Sequence, residues 1–338
     1  MASGGVTVGV VANPASGRDI RRLVTGASVF DNAEKGSMVY RVLCGLGATG
    51  VDRVVMMPAG SGVSESLRRR LGGENGRLPE LELLDQRLEQ TAEDTVTAVL
   101  EMRARGVAAI VVLGGDGTHR VVAKHCDAIP LCALSTGTNN VFPEVREATV
   151  AGLATGLVAT GCVATGADDG RREKLVHVGR NGDARFDCAL VDVAVTSEPW
   201  VGARAVWRIS DVSEVFVTFA RADAVGLSAI AGQLEAVGRA DEHGLHVRLT
   251  DPREADVVLQ VAVAPGKVVP VGVAGYERME PDRTYRLPRV FGSLALDGER
   301  ELELTPDDEV ELRLAAGPVR IDVAWVMAEA ARRKLLVA

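Results

Sequence analysis

Val107-Ala108-Ala109-Ile110-Val111-Val112-Leu113-Gly114-Gly115-Asp116-Gly117-Thr118 is the stretch on which the reading of this chain turns. The run from Val107 to Leu113 is apolar throughout, as a strand buried on both faces would be. Two glycines, an acid, a glycine and a threonine follow. Residues Arg120 to Lys124 can then open a helix. Strand, glycines and helix in that order place bare main-chain N–H groups where a phosphate binds. The glycines let a ligand approach the backbone closely. Ligands of parallel sheets sit at the carboxyl ends of strands. A carboxylate there is costly beside phosphates unless it takes a proton from an attacking hydroxyl or holds a metal. A Gly-Asp-Gly turn can join any two elements, so the pentapeptide needs companions.

Two companions exist. Asn13-Pro14-Ala15-Ser16-Gly17 closes the aliphatic run Val6 to Val11, and Thr136-Gly137-Thr138-Asn139-Asn140 follows the short strand Leu131 to Leu134. Three polar, glycine-containing loops after successive strands imply convergence on one sheet edge. Further strands are expected at Val51 to Met57 and Leu81 to Leu84. Met38, Val39, Val42, Leu43 and Leu46 fall at helical spacing, and Thr91 to Arg103 reads as a helix with Thr91 and Asp94 at capping-box spacing. Alternating strands and helices predict a parallel sheet covered on both faces.

After about residue 170 the texture changes. Short β-branched runs, among them Leu175 to Val178, Cys188 to Thr196, Leu245 to Leu249 and Val257 to Val263, are separated by turn residues. That pattern predicts an all-β region. The expected division is an α/β nucleotide-binding domain over 1–145, a β-rich, sandwich-like domain over 146–322 entered by a helix at 146–165, and a closing helix over 323–338. The site is expected in the cleft between the domains.

Composition excludes several classes. The 338 residues suffice for two domains. With 38 basic against 46 acidic residues the net charge is −8, which offers nothing to nucleic acid or an anionic membrane. The clusters Arg68-Arg69-Arg70, Arg171-Arg172 and Arg332-Arg333-Lys334 read as solvated surface. Five cysteines without a Cys-x-x-Cys pair read as reduced thiols in a cytoplasmic protein. The N-terminus has no charged region before an apolar stretch, so no signal peptide is expected.

Two motifs mislead. Gly45-Leu-Gly47-Ala-Thr-Gly50 is a literal G-x-G-x-x-G, but helical spacing precedes it and a strand follows, the reverse of a dinucleotide loop. It reads as a helix end and turn, and an oxidoreductase is rejected. Residues 148–167 carry no charge, and Gly152-Leu-Ala-Thr-Gly156 matches G-x-x-x-G. Large aliphatics are few there, so a tightly packed soluble helix is expected and no membrane span. Trp200 and Trp207 read as packing residues, and Ser135 lacks a G-x-S-x-G context, which argues against a hydrolase.

The set Asn-Pro-Ala-Ser-Gly, Gly-Gly-Asp-Gly-Thr and Gly-Thr-Asn-Asn resembles the NAD kinase–diacylglycerol kinase superfamily. Ser135 to Glu144, Val201 to Ala205 and Ser293 to Glu299 are similar to its ATP-NAD kinase, AcoX-type branch. The resemblance implies a Rossmann-like domain, a β-rich domain, ATP and a divalent metal, Mg2+. It implies Asp116 as general base toward the acceptor hydroxyl. Asn13, Ser16, Gly17, Gly114, Gly115, Gly117 and Thr118 would surround phosphates, and Thr138, Asn139 and Asn140 would line the nucleotide cleft. The expected activity is phosphorylation of a small molecule, NAD at its 2′-hydroxyl, serving NADP biosynthesis, in a homo-oligomer.

One departure bears on the acceptor. NAD kinases carry an Asn-Glu pair where this chain has Val191-Asp192. Valine cannot make an amide's hydrogen bonds. Asp192 and Glu299 are carried as substrate-side candidates. Asp297-Gly298-Glu299 also resembles a lipid-kinase feature in which an acid assists the base, and equally reads as a hairpin turn. Two alternatives therefore stand beside NAD: another alcohol, polyol or lipid-like, or a non-catalytic nucleotide-binding protein tied to acetoin catabolism.

Overall fold

The computed structural model describes residues 5–14, 31–72, 76–137, 140–165, 172–198, 208–289 and 291–337. The chain forms two compact units. The first holds the N-terminal strand, the run to Arg172 and the stretch from Pro318 onward; the second holds Glu173–Gly317.

In the first unit, β1 (Thr7–Ala12), β2 (Arg53–Met56), β3 (Glu80–Leu83), β4 (Ala109–Gly114) and β5 (Leu131–Ser135) form a five-stranded sheet in the order 3-2-1-4-5. Every pairing is parallel. The chain moves outward from β1 to β3, then returns to β4 on the other side of β1. The crevice between the ends of β1 and β4 is therefore a topological switch point. Helices α1 (Asn32–Ala48), α5 (Ala148–Ala159) and α7 (Val323–Arg332) share one core with Val8, Val10, Val111 and Leu134. Helices α3 (Ala92–Ala104) and α4 (Asp116–His125) share the opposite core with Val11, Val55 and Val112. Helix α2 (Ser61–Leu71) packs beside α1.

The sequence divides the chain at 145, but the structure carries the first unit to Arg172 and returns to it at Pro318. Two packing facts explain this. Helix α5 lies on α1, and Ile321, Val323, Val326 and Ala330 enter the same core as β1 and β5. Both misleading glycine motifs belong to this one contact. A methyl group at Gly45 would strike the Thr149 carbonyl and the Leu153 amide, and one at Gly152 would strike the Val42 carbonyl. The G-x-G-x-x-G and the G-x-x-x-G are thus the two sides of a close helix crossing. Among the described residues, no helix is long and apolar enough to cross a membrane.

The second unit is β-rich. Strands β6 (Arg172–Arg180), β7 (Asp183–Ala189), β13 (Thr284–Arg286) and β16 (Val310–Val319) make a four-stranded sheet in the order 13-16-6-7. Strands β8 (Asp192–Thr196), β9 (Val212–Val217), β10 (Gly244–Thr250), β11 (Val257–Ala264), β12 (Lys267–Met279), β14 (Gly292–Leu296) and β15 (Glu299–Leu304) make a seven-stranded one in the order 11-12-10-9-8-14-15. Val176, Leu312, Phe216 and Leu294 bury one face of the larger sheet against the smaller sheet. Helix α6 (Leu227–Leu234) buries the other through Leu227 and Ile230, against Val215, Val247 and Val261. The expected single strand Cys188 to Thr196 is broken at Leu190-Val191, and its halves join different sheets.

At an ordinary exposed helix site Gly→Ala would stabilise by about 1 kcal/mol. At Gly152 the sign reverses. Gly152→Ala should lower stability by roughly 1–3 kcal/mol through overpacking against α1, read as a lower urea midpoint with an unchanged slope.

Candidate functional site

The site grows from the carboxyl ends of β1, β4 and β5. Strand β1 ends at Ala12, and the Asn13 main-chain N–H donates to the Leu113 carbonyl at 3.3 Å. That bond keeps Asn13 level with the end of β4. The Asn13 side-chain Nδ2 donates to Thr118 Oγ1 at 3.0 Å. The first and second loops are thereby joined across the switch point.

Strand β4 ends at Gly114, and Gly115 caps α4, which begins at Asp116. A methyl group at Gly114 would sit 2.7 Å from Thr118 Cβ, and one at Gly115 would sit 3.0 Å from Asn140 Oδ1. These glycines leave room for the other residues of the site. The third loop folds back toward the second. Its Thr136 N–H donates to the Gly114 carbonyl at 3.3 Å, and Asn140 Nδ2 donates to Ser135 Oγ at 2.8 Å. Ser135 Oγ in turn donates to the Gly137 carbonyl at 2.7 Å. Ser135 therefore shapes a loop, as befits a serine outside a nucleophile context.

Asp116 is 9% exposed. Its Oδ1 accepts from the Val141 amide at 3.1 Å and the Phe142 amide at 2.8 Å, and its Oδ2 accepts from the Val141 amide at 3.0 Å. The carboxylate clips the third loop to the start of α4. Asn13, Gly114, Gly115, Asp116, Thr118 and Asn140 lie together at this edge, and Gly117 lies in the first turn of α4. Ser16, Gly17, Thr138 and Asn139, and the tryptophans at 200 and 207, lie outside the described residues.

His119 turns away from this edge into the core. It is fully buried, and its Nδ1 lies 2.8 Å from the Gly115 carbonyl, so Nδ1 carries the proton. Burial holds its pKa down to about 4, against the partial support of carbonyl hydrogen bonds. It stays neutral near pH 7 and supplies no positive charge to a phosphate.

Two features of the edge escaped the sequence. The loop after β2 runs Pro58-Ala59-Gly60 into α2, repeating the strand, glycine and helix order. A methyl group at Gly60 would lie 3.6 Å from Pro14 Cβ, so this loop borders the first. That order was the available signal. The second feature is Lys35, in the first turn of α1, whose Nζ donates to the Asn13 carbonyl at 3.1 Å. No spacing rule marks it.

The substrate-side candidates lie in the second unit. Asp297 and Gly298 have φ of 52° and 77° and form the two-residue turn between β14 and β15. The Asp297 carboxylate is buried. Its Oδ1 accepts from the amides of Leu190 at 2.9 Å, Val191 at 2.7 Å and Asp192 at 3.3 Å. This carboxylate is engaged in holding the break between β7 and β8. Val191 is 1% exposed and Asp192 4%. Glu299 begins β15 and is half-buried.

With known proteins, residues 8–162 match the ATP-NAD kinase N-terminal domain and residues 174–317 match the Acetoin catabolism protein X C-terminal domain. Acetoin catabolism protein X of Cupriavidus necator is 45% identical over 335 residues, covering 97% of this chain and 93% of that protein. A crystal structure assigned as a diacylglycerol kinase from Bacillus anthracis str. Sterne aligns with a TM-score of 0.43 and 12% identity, over 94% of this chain and 98% of that one.

The buried, neutral His119 predicts an acid sensitivity. In the unfolded chain a histidine takes up its proton near about pH 6.5; here the folded state refuses it until about pH 4. Between those values the unfolded state binds more protons, so stability falls as pH drops through that window. Urea unfolding at pH 7 and pH 4.5 should show a larger loss for wild type than for His119→Gln.

Proposed function

The chain belongs to the acetoin catabolism protein X family, with an N-terminal region of the ATP-NAD kinase type, and on that premise we propose that it is an ATP-dependent kinase acting on the hydroxyl of a small molecule. The observation that carries the reading is the meeting of Asn13, Gly114 to Thr118 and Asn140 at the switch point, with the Asp116 carboxylate among them.

Phosphoryl transfer asks a protein chiefly for positioning and charge neutralisation. The glycines after β4 would let a triphosphate approach the main chain at the start of α4. Asn13 and Thr118, tied together, would fix the first and second loops around it. Asp116 would accept the proton of the attacking hydroxyl, held in place by the Val141 and Phe142 amides. Among the described residues no group of three or more His, Cys, Asp or Glu side chains is set to hold a metal. A divalent ion, Mg2+, would arrive on the triphosphate, as it commonly does in phosphoryl transfer.

NAD is the first acceptor to test. The burial of Val191 favours a second reading, with another alcohol in its place. Where the NAD kinases present an amide toward adenosine, this chain presents an aliphatic residue closed to solvent. An ATP-consumption screen against NAD, NADH and simple polyols, with products identified by mass, separates the two. ATP bound tightly but never consumed over that panel would leave a non-catalytic nucleotide-binding protein, a role the name of the Cupriavidus relative accommodates.

Asp116 has two duties that substitution can separate. Asparagine keeps an oxygen where Oδ1 accepts from both amides, but loses the charge, the proton acceptor and the second contact that Oδ2 makes with Val141. Asp116→Asn should cut turnover by about 10²–10⁴-fold with a smaller fall in melting temperature than removal of the whole side chain. Asp116→Ala should lose turnover and also melt earlier, because the third loop is unclipped. Full turnover in Asp116→Asn would remove Asp116 as the base.

A further inference from the structure

Lys174 is 9% exposed near the start of β6, and burial pulls the pKa of its amine down to about 8. The amine therefore still carries its proton at neutral pH. An ammonium taken out of water needs partners that replace its hydration. Lys174 finds all of them in one stretch of main chain. Its Nζ donates to the carbonyls of Gly238 at 3.0 Å, Asp241 at 2.5 Å and His243 at 2.8 Å. Three N–H donors meet three acceptors, and the ammonium is fully used.

The loop that supplies these carbonyls joins α6 to β10, and other bonds shape it. Val237 exchanges main-chain hydrogen bonds with Ala220, at 2.9 and 3.0 Å, which fixes its start. Gly244 opens β10 opposite Met279 of β12, which fixes its end. Between them the Gly238 N–H donates to Asp241 Oδ2 at 2.7 Å and closes a turn. Arg239 lies over the Phe219 ring, 4.1 Å from its centre, and pairs with Glu173 of β6 at 3.0 Å.

Carbonyl oxygens that converge repel one another, so a loop that gathers three of them around one point suits a positive charge there. Rings of main-chain carbonyls replace the hydration shell of a potassium ion in selectivity filters. A divalent ion asks for carboxylate ligands as well, and here the atoms in contact are neutral carbonyls. The Asp241 and Glu173 carboxylates add a favourable field from further off, against the opposing charge of Arg239.

We propose that loop 238–243 is a monovalent-cation site of the potassium type, and that the chain fills it with a cation of its own, the ammonium of Lys174. The lysine thereby ties β6 of the smaller sheet to the loop before β10 of the larger sheet, with no need of a dissolved ion. A chain lacking this ammonium takes K+ from solution in its place. The site lies wholly in the second unit.

The test compares wild type, Lys174→Ala and Lys174→Met in potassium chloride and in choline chloride of equal concentration, by hydrogen exchange of the peptide spanning 236–244. Alanine vacates the place of the side chain, whereas methionine keeps an apolar stem in it. In choline chloride, Lys174→Ala should exchange about tenfold or more faster than wild type, because charge-assisted hydrogen bonds are lost. Potassium chloride should restore most of that protection in Lys174→Ala and none in Lys174→Met, and wild type should behave alike in both salts. A loss in Lys174→Ala that K+ does not restore would overturn the proposal and leave Lys174 a structural tie. Unchanged protection of Lys174→Ala in choline chloride would overturn it too, as would a gain in potassium chloride shared by all three proteins. Should Lys174→Ala not fold in choline chloride, its refolding yield in the two salts decides: recovery in potassium chloride supports the site, and failure in both overturns it.

Discussion

A carboxylate at the first position of α4, held by two main-chain amides from the loop after β5, is the constraint on which the carboxyl edge of the first unit's sheet depends. Asp116 has to be short to reach Val141 and Phe142 from the helix start. Gly114 and Gly115 have to lack side chains so that Thr118 and Asn140 can occupy the space beside it. The strand order places Asn13 across the crevice, where its amide meets Thr118. The site is thus a small set of mutual fits, each using one residue's absence of bulk to admit another's polar group. The same carboxylate sets an electrostatic problem. It lies at a helix N-terminus, where a phosphate would otherwise profit from the positive end of the helix dipole.

The packing behind the site follows from composition. Aromatics are 4% of the chain and Gly numbers 37. Cores built from Val, Leu and Ala gain cohesion by bringing backbones close. The crossing of α1 and α5 does this through Gly45 and Gly152. It keeps α1 near the sheet, and α1 carries Lys35 to the end of β1. Helix packing and the site are linked through that one element.

Much of this was legible in the sequence, for definite reasons. Apolar runs ending in glycine loops marked β1, β4 and β5, because a strand buried on both faces leaves no polar position to blur its ends. Helical spacing marked α1 through Met38, Val42 and Leu46, all of them core residues. What stayed hidden depends on contacts distant along the chain. Nothing in the sequence around Lys35 marks it, and only the fold buries it. Thr91 and Asp94 have capping-box spacing, yet the Asp94 carboxylate accepts from the Glu89 and Gln90 amides instead of reaching back to Thr91. Cys188 to Thr196 has the hydrophobicity of one strand, and only Asp297, more than 100 residues later, reveals the break.

That break also sets the surroundings of Val191. The main chain at 190–192 is fixed from outside its own side chains: Asp297 takes its amides, and Thr218 Oγ1 donates to the Leu190 carbonyl at 2.7 Å. The main-chain path at this point is therefore held independently of the side chain at 191, which packing alone confines. An asparagine there would bury an amide at a cost of about 1–3 kcal/mol unless a neighbour or a ligand paired with it. A chain that bound adenosine through that amide would recover the cost on binding. This chain carries valine, which costs nothing to bury and offers nothing to a base. A valine at 191 therefore suits a main chain held by Asp297 and Thr218, and any ligand that reached this break would meet main-chain and not side-chain polar groups at that residue.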